Sequence, residues 1–235
     1  MTVLPRLATA KSRLNIAWTA ASPRGEEQLD FQSSLREIRG RDTRPLLIVR
    51  DCSGCSKKVD DLLERTLENE RFQLASQWFH CVKLPRSVIR ESHPFHALFG
   101  PKNPPHMILS SWNGSKVKRL LGTTYQRVFW RTVASVLRTD YKKNPTKAVK
   151  ELLGILNQFD QLDAQAKELR AQIASGKKKN KKARVKKLEA KLARAQKLRD
   201  ETLKREKKLR DLVLKRQADK ATLPSGRVSL SDRFR

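Results

Sequence analysis

The stretch Pro45-Leu46-Leu47-Ile48-Val49-Arg50 stays apolar, without alternation, up to its last position. A strand of this kind is buried on both faces, so it needs layers of other elements above and below the sheet that holds it. The 235 residues are enough for one or two domains and a substantial core. The expected class is therefore α/β, with this strand near the middle of the sheet.

Around the strand the chain reads as a succession of short elements. Leu14 to Trp18 reads as a first strand, and Leu29, Phe31, Leu35 and Ile38 fall near one side of a helix over residues 26–39. Gln77 to Leu84 has strand composition and is expected parallel to residues 45–50 through a right-handed crossover. Two apolar runs, 107–109 and 117–121, flank Trp112-Asn113-Gly114-Ser115, and Asn-Gly in that setting marks an antiparallel hairpin. Tyr125, Val128, Phe129, Thr132, Val133, Val136 and Leu137 then recur at helical spacing, as in a helix covering the hairpin. With a short helix at 94–99 the expected order is β-α-β-α-β-α-β-β-α.

Directly after the buried strand, Cys52-Ser53-Gly54-Cys55 opens a helix with the stripe Val59, Leu62, Leu63, Thr66 and Leu67. Three cysteines are too few for a disulfide framework, so the CxxC points to a dithiol or metal pair in a reducing compartment. A helix N-terminus and Lys57 and Lys58 favour a thiolate at Cys52, whereas the carboxylate of Asp51 opposes it. Such a thiolate attacks a disulfide, and Cys55, three residues on and on the same helical face, resolves the mixed disulfide. The alternatives are an inert reduced pair and a zinc site completed by His93 and His96, whose spacing matches no finger. Cys81, between Phe79 and Val82, reads as a small buried hydrophobe. His106 reads either as a neighbour of the dithiol or as a surface residue at a strand start.

Strand, CxxC, helix, strand, an X-Pro before an antiparallel hairpin, then glycine and a closing helix: over residues 14–140 this order resembles the thioredoxin-like family. The resemblance implies a central mixed sheet with flanking helices, Cys52 as the exposed nucleophile and Cys55 as the buried resolving thiol. It also implies a cis peptide before Pro105, with that loop packed against the cysteine pair, and places Gly114 in the hairpin turn and Gly122 before the last helix. The sequence departs from the family pattern at Asp51, where a Trp stands in the family, at Ser53-Gly54 in place of Gly-Pro, and at Leu46, near the position of a buried acid. The implied partner is a protein carrying a disulfide; no cofactor and no metal are expected.

The period changes after residue 140. From Pro145 the stripe Val149, Leu152, Leu156, Phe159, Ala166, Leu169 and Ile173 runs to Ser175-Gly176, with Gly176 expected as the left-handed cap. After a lysine-rich turn, Val185, Leu188, Leu192, Ala195, Thr202, Leu209 and Val213 form a second stripe, expected to continue to about Ala221 and to stop at Pro224-Ser225-Gly226. Two such helices fold back as an antiparallel hairpin, or coiled coil, in which each buries a seam the other needs. The small and polar residues Ala195 and Thr202 weaken that seam. The expected organisation is a thioredoxin-like domain over 1–140, a basic helical hairpin over 141–222 projecting as a rod, and a disordered basic tail over 223–235. Self-association through the coiled coil is a further expectation.

Charge sets the class of partner. The chain has 52 Lys+Arg against 24 Asp+Glu, a formal net charge of +28. Residues 177–216 alone hold 19 Lys+Arg and 5 Asp+Glu. Such density favours phosphate and points to backbone contact with nucleic acid or a ribonucleoprotein, through Lys177, Lys178, Lys179, Lys181, Lys182, Lys186 and Lys187. The bland account is a solvated coiled-coil face. Between Phe159 and Phe234 there is no aromatic residue, which argues against single-strand base stacking and against an amphipathic membrane helix. No apolar run approaches the roughly 18 residues of a spanning helix.

Two functions compete at this level. One is a thiol-disulfide oxidoreductase targeted to an anionic assembly by its basic arm. The other is a non-catalytic thioredoxin-fold scaffold whose basic coiled coil binds nucleic acid or a ribonucleoprotein. The expected location is cytoplasmic, with an organelle-targeting leader as the alternative reading of Arg6, Lys11, Arg13 and Arg24, which precede any acidic residue.

Overall fold

The computed structural model describes residues 5–51, 66–100 and 102–215. A five-stranded mixed sheet contains β1 (Trp18–Ala20), β2 (Leu46–Arg50), β3 (His80–Leu84), β4 (Met107–Ser110) and β5 (Lys118–Leu120), in the spatial order β1-β3-β2-β4-β5. β2 runs parallel to β3 and antiparallel to β4, β3 runs parallel to β1, and β4 and β5 are antiparallel. All five residues of β2 are buried, the outcome its uninterrupted apolar run requires.

Six α-helices lie within the described residues: α1 (Ala8–Lys11), α2 (Phe31–Arg39), α3 (Glu70–Ser76), α4 (Gln126–Asp140), α5 (Pro145–Lys178) and α6 (Lys182–Arg210). A short 3₁₀ turn, His96–Leu98, falls inside the segment expected to be helical. α2 starts later than its apolar spacing suggests because Asp30 caps it, its carboxylate accepting from the Ser33 amide at 2.9 Å. β1 also starts later than expected. Leu14 and Ile16 pack against the core as irregular chain, and pairing with β3 begins at Trp18.

The strand pleat divides the interior in two. Leu46 and Ile48 face a core with Leu35, Ile38, Val82, Phe95, Phe99 and Ile108. Leu47 and Val49 face the opposite core, with Phe72, Phe79, Cys81, Leu109 and Phe129. This second core crosses residue 140, because Val149, Leu152, Leu156 and Phe159 of α5, together with Leu212, are part of it. The base of the long helices therefore packs as one body with the sheet.

α5 and α6 run in opposite directions, as the ion pairs Lys177–Glu189, Asp163–Arg199 and Glu151–Arg205 record. At about 1.5 Å per residue their 34 and 29 residues span roughly 51 and 44 Å. Towards the turn they share a small separate core of Leu169, Ile173, Val185 and Leu188. The expected cap and end point both move. Gly176 lies inside α5, and the left-handed residue is Asn180, with φ 51°. The Lys181 amide donates to Gly176 O and the Asn180 amide to Lys177 O, the two bonds of a Schellman turn with Asn180 in the left-handed position. Gly176 is needed for closeness instead: a Cβ there would lie 2.9 Å from Val185 Cγ2. α6 stops at Arg210, short of the expected Ala221, because the following chain turns back to residues 140–143. Lys142 N donates to Val213 O and Lys215 N to Asp140 O, around a bridge between Tyr141 and Leu214.

Two N-terminal arginines are held against the helical pair. Arg6 pairs with both Glu70 of α3 and Asp160 of α5 at 2.7 Å, and these two carboxylates hold its pKa above the ordinary value for arginine. Arg13 lies over the Phe159 ring, 4.3 Å from its centroid, and pairs with Glu206 of α6 at 2.7 Å. Further along α6 the buried Thr202 turns its hydroxyl to Leu198 O.

Candidate functional site

Two regions carry the residues singled out by sequence: the end of β2 and the turn between α5 and α6. At the first, Cys52 and Cys55, with Lys57 and Lys58, lie outside the described residues. The chain that leads into them is fixed. Arg50 N donates to His106 O at 3.0 Å, and Asp51 N donates to Leu84 O at 2.8 Å. Arg50 and Asp51, the residues ahead of the motif, thus lie between the C-terminal end of β3 and the loop that enters β4. Pro105 is buried in that loop, and its carbonyl accepts from Arg50 Nε at 3.3 Å. The Pro104–Pro105 peptide is trans, which corrects the cis bond implied by the family resemblance. Whether the loop packs against Cys52 and Cys55 is a question outside the described residues.

Arg50 is the feature here that the sequence reading left unused, although a cation closing an apolar strand was visible. It is 3 % exposed, and its Nη2 lies 3.3 Å from Nε2 of the buried His106. Burial of so hydrated a group requires partners on several sides. His106 is thus an interior residue, not a surface one. Asp51 sits 3.7 Å from the Lys83 ammonium, a half-exposed contact.

The other sulfur and imidazole groups have ordinary structural positions. Cys81 is buried in β3, its Sγ donating to Ser76 O at 3.4 Å, and burial pushes its pKa up to about 12. It is the small hydrophobe expected. His93 Nδ1 accepts from the Phe95 amide at 3.0 Å, and desolvation with the neighbouring His96 lowers its pKa.

The second region is the turn and the helix ends around it. Lys177, Lys178, Lys179, Lys181, Lys182, Lys186 and Lys187 are all exposed, and Arg184 is exposed among them. These eight cations fall within residues 177–187, which contain no acidic residue. Among the described residues the only ion pair to any of them is Lys177–Glu189, at 3.2 Å between two largely exposed side chains. The base of the helical pair is different, since Arg13 and Arg210 share Glu206, Arg199 meets Asp163 and Arg205 meets Glu151. The ion pairs thus concentrate towards the base of the helical pair, and the tip is left with a large excess of positive charge. Chemically, such a surface offers mobile ammonium donors for phosphate oxygens without aromatic planes for bases. No helix of the described residues is long and apolar enough to cross a membrane. The chain matches no known protein-family model, no curated protein and no solved structure.

Proposed function

We propose that this protein is a nucleic-acid-binding scaffold, in which a thioredoxin-like α/β body carries a coiled-coil hairpin whose lysine-rich tip grips the phosphate backbone. The observation that carries the reading is the tip itself: eight exposed cations over residues 177–187, one exposed ion pair, no acid and no aromatic residue. The sheet order β1-β3-β2-β4-β5, with its one antiparallel hairpin edge, supports the thioredoxin-like part.

The test is the salt dependence of binding to a 20-base-pair duplex, DNA and RNA in parallel, followed by fluorescence anisotropy. With six phosphates neutralised, the log–log slope on DNA is about −0.9 per phosphate, or roughly −5.4, a loss of about two-thousandfold between 50 and 200 mM salt. Changing Lys177, Lys178, Lys179, Lys181 and Lys182 together to Gln leaves three of the eight cations and should bring the slope to about −2.7 or flatter. The full chain is the right material, because truncation at 140 would strip Val149, Leu152 and Phe159 from the second core. A slope unchanged by the five substitutions, or no salt-sensitive binding at 50 mM, refutes the reading.

Thiol-disulfide exchange is the second reading, favoured by the bonds that hold Arg50 and Asp51, which precede the cysteine motif in sequence, to His106, Leu84 and Pro105. In it the Cys52 thiolate attacks a protein disulfide and releases one thiolate, and Cys55 then displaces Cys52's partner to leave a Cys52–Cys55 disulfide. Limiting alkylation should label Cys52 before Cys55 and Cys81, and a Cys55→Ser variant should hold a mixed disulfide that reductant releases. Preferential labelling of Cys55 or Cys81, or no trapped species, excludes it.

A further inference from the structure

At the base of the helical pair, the start of α5 and the last turns of α6 enclose an open cleft of about 440 Å³. Its floor is hydrocarbon, formed by Ala148, Leu209 and Leu212, of which Ala148 and Leu212 are buried members of the second core. Four cations stand around that floor: Lys143 and Lys147 on one side, Arg205 and Lys208 on the other. One carboxylate joins them, Glu151, 3.9 Å from the Arg205 guanidinium. The Lys143 ammonium donates to Asp211 O at 2.8 Å, a neutral carbonyl that fixes the side chain and leaves its charge uncompensated. Lys147 and Lys208 have no ion pair among the described residues. The amides at the start of α5 are already in use, because Asn144 Oδ1 accepts from Thr146 N and Lys147 N.

We propose that this cleft binds a single-chain amphiphile with an anionic head, its hydrocarbon on the Ala148–Leu209–Leu212 floor and its carboxylate or phosphate between Lys147 and Lys208. Three features fix that chemistry. Apolar floor and cationic rim are joined in one space, so a ligand satisfies both only if it is itself divided into a greasy part and a negative part. A nucleic-acid backbone would press sugar and phosphate against hydrocarbon that offers them no donor, so this cleft is separate from the tip surface and does not depend on its role. Residues 216–235 of the chain itself carry five Lys+Arg against two Asp, so their net charge has the sign of the rim and not that of the anion the rim calls for.

Isothermal titration of the full chain with dodecyl phosphate and with dodecanoate, each below its micelle concentration, tests the assignment. Both should bind saturably at one per chain, and dodecanol, which lacks the charge, at least about tenfold more weakly. Shortening the chain by two methylenes should weaken binding about fifteenfold, as expected for hydrocarbon leaving the floor. Lys147→Gln with Lys208→Gln removes exposed charges without touching the core, and should weaken dodecyl phosphate about tenfold or more while leaving dodecanol unchanged. Leu209→Trp should block the cleft, and the charge variant carries the test if that protein fails to fold. The five-lysine tip variant should bind dodecyl phosphate like the parent chain, so failure of the nucleic-acid reading and failure of this one are distinguishable. Equal binding of dodecanol, indifference to the Lys147/Lys208 changes, equal binding of inorganic phosphate, or binding only to phosphatidate-containing vesicles overturns the proposal.

Discussion

Replacing the buried Glu206 by alanine should loosen the attachment of the helical arm. Glu206 is 6 % exposed and serves two arginines, accepting from Arg13 Nε at 2.7 Å and pairing with Arg210 Nη2 at 2.7 Å. Arg210 also donates to Gln77 Oε1, and its carbonyl accepts from Trp78 Nε1 at 2.8 Å, so the same cluster ties α6 to the chain between α3 and β3. Removing one partner of a fully buried pair costs about 3–5 kcal/mol, because the charge left behind is uncompensated. Here the arginine side chains are 18 % and 28 % exposed, and water reaching them reduces the loss to about 2–3 kcal/mol. For a chain of this size that is a fall in Tm of roughly 4–12 °C. Glu206→Gln keeps one acceptor and turns an amide N–H towards the other arginine, so about half the loss should remain. The assay is urea unfolding followed by circular dichroism, with exposed Glu201→Ala as a control expected within about 0.5 kcal/mol of the parent. A loss under about 0.5 kcal/mol for Glu206→Ala would show that both arginines are effectively hydrated. The account of how the arm is fixed would then be wrong.

Two further outcomes follow from the interior. Because burial raises the Cys81 pKa from 9.0 to about 12, the unfolded chain loses this proton first as pH rises. The stabilisation from Cys81 is complete below pH 9 and is lost between about 9 and 12, at up to about 1.4 kcal/mol per pH unit. Urea melts at pH 8, 9 and 9.5 should show this fall in the parent and not in Cys81→Ala, and parallel pH profiles would refute it; the low end of the window keeps Tyr141, also raised by burial, out of the comparison. Gly176→Ala gains about 1 kcal/mol of helix propensity but forces a Cβ to 2.9 Å from Val185 Cγ2, an overpacking that costs about 1–3 kcal/mol. Amide exchange near Leu169 and Leu188 should speed up in Gly176→Ala and slow down when the same change is made on a Val185→Ala background; slower exchange in the single variant would show that the helices part freely.

Local pattern was sufficient for several elements of this chain. An uninterrupted apolar run reads as a strand covered on both faces, and β2 is one; the Asn113-Gly114 hairpin and the buried stripe of Phe129, Val133, Val136 and Leu137 followed from equally short-range rules, although Tyr125 and Val128, expected in that stripe, are exposed at the start of the helix. The lysine tip was legible for a related reason, since eight cations without an acid in eleven residues carry more charge than the single nearby carboxylate, Glu189, can balance. Positions decided by long-range closeness were not legible. Gly176 looked like a cap until Val185 was seen against it, α6 ended early because residues 211–215 pair with 140–143, and Arg6 and Arg13, legible only as basic residues ahead of the first acid, are held by Glu70, Asp160 and Glu206. The periodicity of a helix reports which face is apolar, but not what lies against it. Only the tertiary structure could show that the base of the arm shares the core of the sheet, and that cations of α5 and α6, some 60 residues apart in sequence, surround one apolar cleft.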